Sequence, residues 1–480
     1  MPFGRPSRVG RCHTGRVTRA DRLSALDAIF LPMETDTQSL HVGSVLVLEG
    51  PAPDPEVFRA LVAARVAGVP FLRRRVLRMP LDLGRPIWVD TADFDPADQL
   101  RHAALDAPGD EPQLRTLVAR IMAPRLPADR PLWELWQVDG LEGGRWAVVA
   151  KAHHTMVDGR SGADLVQSLL TRVPDGPPPT ATTGAVRRAP SLGALARDLL
   201  TWVALLPVRA VRLVARSLRH PREARRRVEQ VRFGLSQVLR PDLPPSVLVG
   251  PLGAERIWGW AAADLAEVAA LARSAHCTLN DVFLAALAGG YRRYLMDRGE
   301  ALDALTLRAI VPVSRRSPGR PARPGNLASA MFVELPVGLA DPEDRLAAVA
   351  ARTSEQKSRA VADATAAVVR LADHIPAPLL AWGARAYGRS GQGRVNVVAS
   401  NVAGPSQAQY LAGRRVLAML PYVPVAEEVR ASTAMLTYAG RLTIGVTGDA
   451  AALPDVDRLV EAIGRELRDL VARGRAHGAP

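Results

Sequence analysis

The chain has 480 residues, 48% hydrophobic and 23% charged, with mean hydropathy +0.02. That is long enough for two large domains and apolar enough to fill their cores, which excludes wholesale disorder. The formal net charge of +14 sits in two places: residues 1–22, with six arginines against Asp21, and residues 187–240, with thirteen arginines against Asp198, Glu223 and Glu229. The remainder is close to neutral, so no nucleic-acid-binding surface is required.

Residues 1–22 read as a basic tail without the apolar run of a secretory signal. A first domain spans 23–175. In it Arg22–Leu31 starts as a helix, and His41–Glu49 is a strand rich in branched apolar residues. The spacing of Val57, Leu61 and Ala64 predicts a helix over Asp54–Ala67. Leu114–Met122 is another helix, Arg130–Val138 a strand, Gly144–Ala152 an alternating strand and Ser161–Leu170 a helix. Residues 176–250 are a linker, proline-rich at first and then basic. Its apolar stripe Leu195, Leu199, Trp202, Val203 and Leu206 is followed by Arg209, Arg212, Arg216 and Arg219, expected opposite Val208, Val211, Val214 and Leu218. Such a basic amphipathic helix suits a membrane interface, or equally a solvated helix packed on the body. The second domain, 251–480, holds helices over Asp264–Ala275, Thr278–Leu295 and Asp455–Ala472. Its strands are Ala309–Val313, Ala330–Pro336, Val395–Ala399 and Leu442–Val446. Strict βαβ alternation is missing, so an α/β class of the α+β kind with mixed sheets is expected.

Several chemistries lose their usual support. No phosphate loop, G-x-G-x-x-G, G-x-S-x-G or H-E-x-x-H occurs. A reaction run here should therefore proceed without ATP. Cys12 and Cys277 offer no disulfide framework or thiolate metal site, which fits a reducing cytoplasm, and Cys277 reads as a structural thiol.

The sharpest signal is Ala152-His153-His154-Thr155-Met156-Val157-Asp158-Gly159. Strand alternation puts Trp146, Val148, Ala150, Ala152 and His154 on one face, with Ala147, Val149, Lys151 and His153 on the other. Adjacent histidines on a strand point apart and share a metal poorly, so no metal is expected. An imidazole at a strand end can take a proton from a hydroxyl near neutral pH. An ordinary hydrogen-bonded pair satisfies the same spacing.

His153 to Gly159 resembles the H-H-x-x-x-D-G signature of the CoA-dependent acyltransferase superfamily. The chain as a whole resembles the bacterial wax ester synthase/diacylglycerol acyltransferase family within it. The segments that carry this are Leu23-Ser24-Ala25-Leu26-Asp27 with Phe30, His41-Val42-Gly43, and Pro131-Leu132-Trp133-Glu134. Later come Asn280-Asp281-Val282, Val311-Pro312-Val313-Ser314-Arg315, Gly325-Asn326 and Ser400-Asn401-Val402-Ala403-Gly404-Pro405, with Ala403 where proline is usual.

The resemblance implies two chloramphenicol-acetyltransferase-like domains forming a pseudo-dimer with a tunnel between them. It implies His154 as general base, His153 in support, Asp158 as a structural residue pairing with an arginine, and Gly159 in the motif turn. Long-chain acyl-CoA is the implied co-substrate, with no cofactor. The acceptor is diacylglycerol or a fatty alcohol, and the location is cytoplasmic, peripheral at the inner membrane face or on lipid droplets. The alternatives are a relative acylating an amine or carrier-bound hydroxyl, and a non-catalytic lipid-binding protein.

Six further residues are candidates for substrate contact, each with a plainer reading. Trp133 is an apolar anchor and suits a core. Asn280 and Asp281 sit at a helix start and suit capping. Ser400, Asn401 and Gly404 leave a strand in a turn whose N–H groups suit CoA or an oxyanion. Lys151 is a candidate for the CoA phosphates.

Overall fold

The computed structural model describes residues 22–156, 161–174, 176, 189–238, 246–302, 305–313, 329–389, 395–425 and 428–478. Asp158, Gly159, Ser314, Arg315, Gly325, Asn326, most of the basic tail and most of the proline-rich stretch lie outside them. The strands are β1 (His41–Leu48), β2 (Arg74–Leu77), β3 (Ile87–Asp90), β4 (Leu100–Ala104), β5 (Trp133–Leu141), β6 (Arg145–His153) and β7 (Arg256–Asp264). They continue as β8 (Leu307–Val313), β9 (Ser329–Leu335), β10 (Val397–Ala403), β11 (Tyr410–Leu411), β12 (Arg414–Tyr422), β13 (Ala431–Tyr438) and β14 (Arg441–Asp449). The helices are α1 (Ala25–Met33), α2 (Pro55–Ala67), α3 (Glu111–Met122), α4 (Ser161–Leu169), α5 (Leu192–Ala204), α6 (Leu206–Arg219) and α7 (Pro221–Val238). They continue as α8 (Leu265–Ser274), α9 (Leu279–Asp297), α10 (Pro342–Ser358), α11 (Val361–Ala372), α12 (Ala377–Arg389) and α13 (Val456–Gly478).

Two six-stranded mixed sheets organise these elements, in the orders β11-β12-β1-β6-β5-β4 and β7-β14-β13-β10-β8-β9. The first sheet is packed on both faces. Trp146, Val148, Ala150 and Ala152 of β6 enter one core, and Ala147 and Val149 enter the other. The alternation read from the sequence is therefore the alternation observed. A third core surrounds the apolar α9, whose Val282–Ala288 run is buried throughout, and is closed by α13.

The sheets are not built from the two sequence halves alone. β11 and β12, from the second half, sit in the first sheet, where β12 pairs antiparallel with β1 from Gly43↔Tyr422 to Leu48↔Val416. Residues 410–422 thus fasten the region 251–480 to the first domain by main-chain hydrogen bonds. Trp258 adds to the seam: it is buried with the first-half core around α3, and its indole N–H donates to Pro421 O at 3.1 Å. Gly43, in the middle of β1, lies so close to β6 that a Cβ there would sit 2.6 Å from the Ala150 carbonyl oxygen. That contact gives a physical reason for glycine after His41-Val42.

Among the described residues, no helix is long and apolar enough to cross a membrane.

Candidate active site

Both histidines are placed by main-chain bonds that run in opposite directions. The His153 N–H donates to Leu132 O (2.9 Å), on the β5 side, and the His154 N–H donates to Leu40 O (2.8 Å), on the β1 side. The Pro131-Leu132-Trp133 segment therefore acts through a backbone carbonyl. His153 ends β6 opposite His41 of β1, and His154 opens a one-turn helix, His154–Met156.

His153 is fully buried, hydrogen-bonded at Nδ1 and faced by a carboxylate at Nε2. The Thr155 N–H donates to Nδ1 (3.1 Å), and Thr155 Oγ1 lies 2.7 Å from the same atom. Nδ1 is thus an acceptor, and the ring proton belongs on Nε2, 3.2 Å from Glu34 Oε1. Glu34 follows α1 and is almost wholly buried. It also accepts the Leu40 N–H (3.1 Å), and Arg125 Nε lies 3.7 Å from its second oxygen. Burial alone would raise the Glu34 pKa, but contact with His153, the charges of His153 and His41 and the Leu40 N–H bring it down to about 2. The carboxylate stays ionised inside the protein.

His41 completes the cluster. Its Nε2 accepts the Leu126 N–H (3.3 Å) and its Nδ1 lies 3.4 Å from Met122 O, a pattern that one neutral tautomer satisfies. Burial and the Lys151 charge push its pKa down to about 3, against the pull of Glu34.

His154 differs in kind. It is half-buried, its ring lies on Phe30 of α1 (centroids 4.2 Å apart, 40° between planes), and its buried Nδ1 has no partner among the described residues. Burial and the charge of His153 lower its pKa to about 4, opposed only by its own backbone carbonyl. The ring is neutral at physiological pH, with a lone pair available. Phe30 and Ile29 in turn pack with Met33, Leu40 and Ala384 of α12. His154 therefore lies on a seam where α1 meets helices of the second half, joined there by Ala25 N and Arg85 to Asp373. A cleft of about 270 Å³ opens along the same contact of α1 with α12, lined by Glu34, Ile29 and Arg125 on one side and Ala377, Leu380 and Arg385 on the other; His154 is not part of its lining.

Other candidates move to structural roles. Trp133 is completely buried and its indole N–H donates to Leu72 O (2.7 Å), so it is a core residue with no surface left for substrate. Asp281 is a buried capping-box residue, accepting from Thr278 N (2.8 Å) and Oγ1 (2.7 Å) and from Thr353 Oγ1 (2.6 Å). Lys151 is buried, with Nζ donating to Ile121 O (2.9 Å) and Pro124 O (2.6 Å), so it cannot reach a CoA phosphate. The strand expected to end at Ala399 runs on to Ala403, so Ser400 and Asn401 are strand residues paired with Ala434 and Met435 rather than turn residues. Gly404 follows it and donates its N–H to Thr437 O (3.0 Å), which leaves that group unavailable to an oxyanion. Asn280 and Asn401 do come together: Asn401 Nδ2 donates to Asn280 Oδ1 (3.3 Å), linking the start of α9 to β10. No hydrogen bond or ring contact among the described residues joins that pair to His154.

Glu34, His41, Thr155 and Phe30 were not singled out as site residues from the sequence. Phe30 and His41 lay within segments of resemblance and Thr155 inside the histidine motif, without a role assigned to any of them. Glu34 is a lone acid after a short helix, and nothing local marks it as the neighbour of a residue 119 positions on.

Comparison with known proteins now decides the family. Residues 23–283 match the wax ester synthase/diacylglycerol acyltransferase catalytic domain, and residues 324–471 match the WS/DGAT C-terminal domain. The chain belongs to the wax ester synthase/diacylglycerol acyltransferase family. It is 34% identical over 468 residues to the probable diacylglycerol O-acyltransferase tgs1 of Mycobacterium tuberculosis, covering 94% of this chain and 96% of the relative. The fold is similar to that of the wax ester synthase/diacylglycerol acyltransferase from Marinobacter aquaeolei VT8 (TM-score 0.67, 23% identity, 95% of this chain and 100% of that one). It is also similar to the starter condensation domain of rhizomide synthetase RzmA (TM-score 0.57, 15% identity, 95% and 94%). As a WS/DGAT, the chain has the two-domain chloramphenicol-acetyltransferase-like architecture.

Proposed function

We infer that this WS/DGAT transfers a long-chain acyl group from acyl-CoA to a lipid hydroxyl, with diacylglycerol the first acceptor and a long-chain alcohol the second. The observation that carries the mechanism is His154: a neutral imidazole, fixed by its backbone to Leu40 and packed on Phe30 at the seam between the halves. In the reaction the acceptor hydroxyl gives its proton to His154 as its oxygen attacks the thioester carbonyl. The tetrahedral intermediate expels the CoA thiolate, which recovers the proton as CoA thiol. The C–S bond breaks and a C–O ester bond forms, so no ATP, metal or covalent acyl-enzyme is called for. His153 supports this from the other face of β6, where Glu34 and Thr155 hold it. Because acceptor and product are insoluble in water, the enzyme works peripherally at a lipid surface, at the inner face of the membrane or on droplets.

The test is CoA release from palmitoyl-CoA by the purified protein, offered dioleoylglycerol, hexadecanol or a long-chain amine, with His154→Ala alongside. Release that depends on dioleoylglycerol and is lost in the variant is expected. Release only with the amine, or unchanged release in the variant, would overturn the reading.

A further inference from the structure

The three helices that bridge the sheets are unequally attached. α7 lies along α11, so close that a Cβ on Gly234 would sit 2.4 Å from the Ala364 carbonyl oxygen. α5 buries Leu195 against Ile87 and Val89. Among the described residues, α6 makes its substantial contacts only with these two neighbours in the chain.

Its outer side is nonetheless apolar. Val211 is 68% exposed, Val214 57% and Leu218 76%. At 3.6 residues per turn these fall with Val208 on one stripe, and the exposed Arg212, Arg216 and Arg219 form the stripe beside it, not the opposite face that the sequence suggested. Sequence places no acid in α6, whereas α7 pairs Arg225 with Glu229 (2.8 Å) and Arg227 with Glu223 (3.5 Å) within itself. α7 thus neutralises part of its charge, and α6 leaves its own available next to bare hydrocarbon.

We propose that the outer face of α6 docks the enzyme on an anionic phospholipid surface, with Val211, Val214 and Leu218 in the acyl boundary and Arg212, Arg216 and Arg219 at the lipid phosphates. The side-by-side stripes suit a helix lying flat: the apolar stripe sinks, and the long arginine stems reach sideways to the head groups. A protein partner would need a matching groove with acid along one rim only; a lipid surface meets the whole face without one. The proposal rests on the lipid-acyltransfer reading, since it explains how an acceptor confined to lipid reaches the seam.

The full chain is to be sedimented with phosphatidylcholine vesicles with and without phosphatidylglycerol, over a salt series. Two triple variants are compared, Val211→Gln/Val214→Gln/Leu218→Gln and Arg212→Gln/Arg216→Gln/Arg219→Gln, and transfer from a short-chain acyl-CoA to a water-soluble alcohol is measured alongside. Expected are salt-sensitive binding to the anionic vesicles, loss of binding in the apolar variant, and loss of the anionic preference in the arginine variant by about fivefold per residue. Transfer between soluble substrates should be unchanged in both. Wild-type protein that stays in the supernatant at low salt, or variants that sediment like wild type, would overturn the proposal. So would an apolar variant that changes oligomeric state in light scattering while still binding vesicles, because the face would then belong to a second copy. Failure of transfer with every acceptor would instead strike the acyltransfer reading, and vesicle binding would be judged apart from it.

Discussion

His153 and His154 are consecutive, and their surroundings share almost nothing. Around His153 the surroundings are polar: Thr155 occupies Nδ1, the Glu34 carboxylate stands 3.2 Å from Nε2, and His41 lies across the β1–β6 ladder with its ring centroid 5.9 Å away. Around His154 there is an aromatic face and no side-chain hydrogen bond among the described residues. The end of β6 produces this contrast: His153 is its last residue and turns its ring into the body of the first domain, and the one-turn helix that starts at His154 carries the next ring onto Phe30 at the seam. A base needs a lone pair that nothing else occupies, and the residue beside it can supply rigidity only if its own lone pairs are spent. The pair divides those tasks.

The widest separation between them should come from His154→Ala. Removing the base is expected to lower kcat by on the order of 10²–10⁴-fold. Thermal unfolding should move little, since the lost ring has no hydrogen-bond partner among the described residues. A large stability loss would show that His154 is a structural residue after all.

Glu34→Ala attacks the other side of the comparison. It strands the Leu40 N–H and leaves His153 Nε2 facing a void, so a stability loss of about 3 kcal/mol is expected, seen as a lower urea midpoint. Glu34→Gln keeps an acceptor oxygen there and should recover most of that loss. Equal effects of the two variants would mean that the charge, rather than the hydrogen-bonding oxygen, holds the cluster.

pH separates the two kinds of histidine further. Burial holds His154 at about 4 and His41 at about 3, below the 6.5 of a free imidazole. Below pH 6.5 the unfolded chain binds protons at these sites that the folded chain refuses. The stability they contribute is therefore complete above 6.5 and is lost as pH falls from there through 4 and then 3. The acid limb of kcat/KM should likewise lie near 4. A limb near 6.5 would place the working imidazole in water.

Much of this architecture was readable locally. The β6 alternation, the α2 and α9 spacing and the Thr278 helix start all depend on neighbours within a turn or two. The exchange of β12 into the first sheet was not, because Arg414–Tyr422 pairs with β1 across more than 360 positions and its own pattern names no partner. β10 was read too short because Ser400 and Asn401 interrupt its apolar run, and backbone pairing with β13 ignores that polarity. The site divided in the same way. The histidines stood out as a motif, whereas Glu34 acquires its role only when α1 folds against the end of β6.

The smallest expected effect concerns Lys151, three residues before the base and cationic as a group that binds phosphate would be. Its pKa is brought down by burial to about 8, with Glu134 and Glu34 pulling the other way, so it remains protonated at pH 7. Both of its hydrogen bonds go to carbonyls, of Ile121 at the end of α3 and of Pro124 just beyond it. Those carbonyls lie next to Met122, which flanks His41. Lys151→Met keeps the aliphatic stem and deletes the ammonium, so the two carbonyls lose their donor at a cost of about 1–3 kcal/mol. KM for acyl-CoA should not change, because the lost charge faces the interior. A rise in KM of tenfold or more, with unaltered kcat and unfolding, would return Lys151 to the phosphates and show that the β1–β6 ladder opens in the working enzyme.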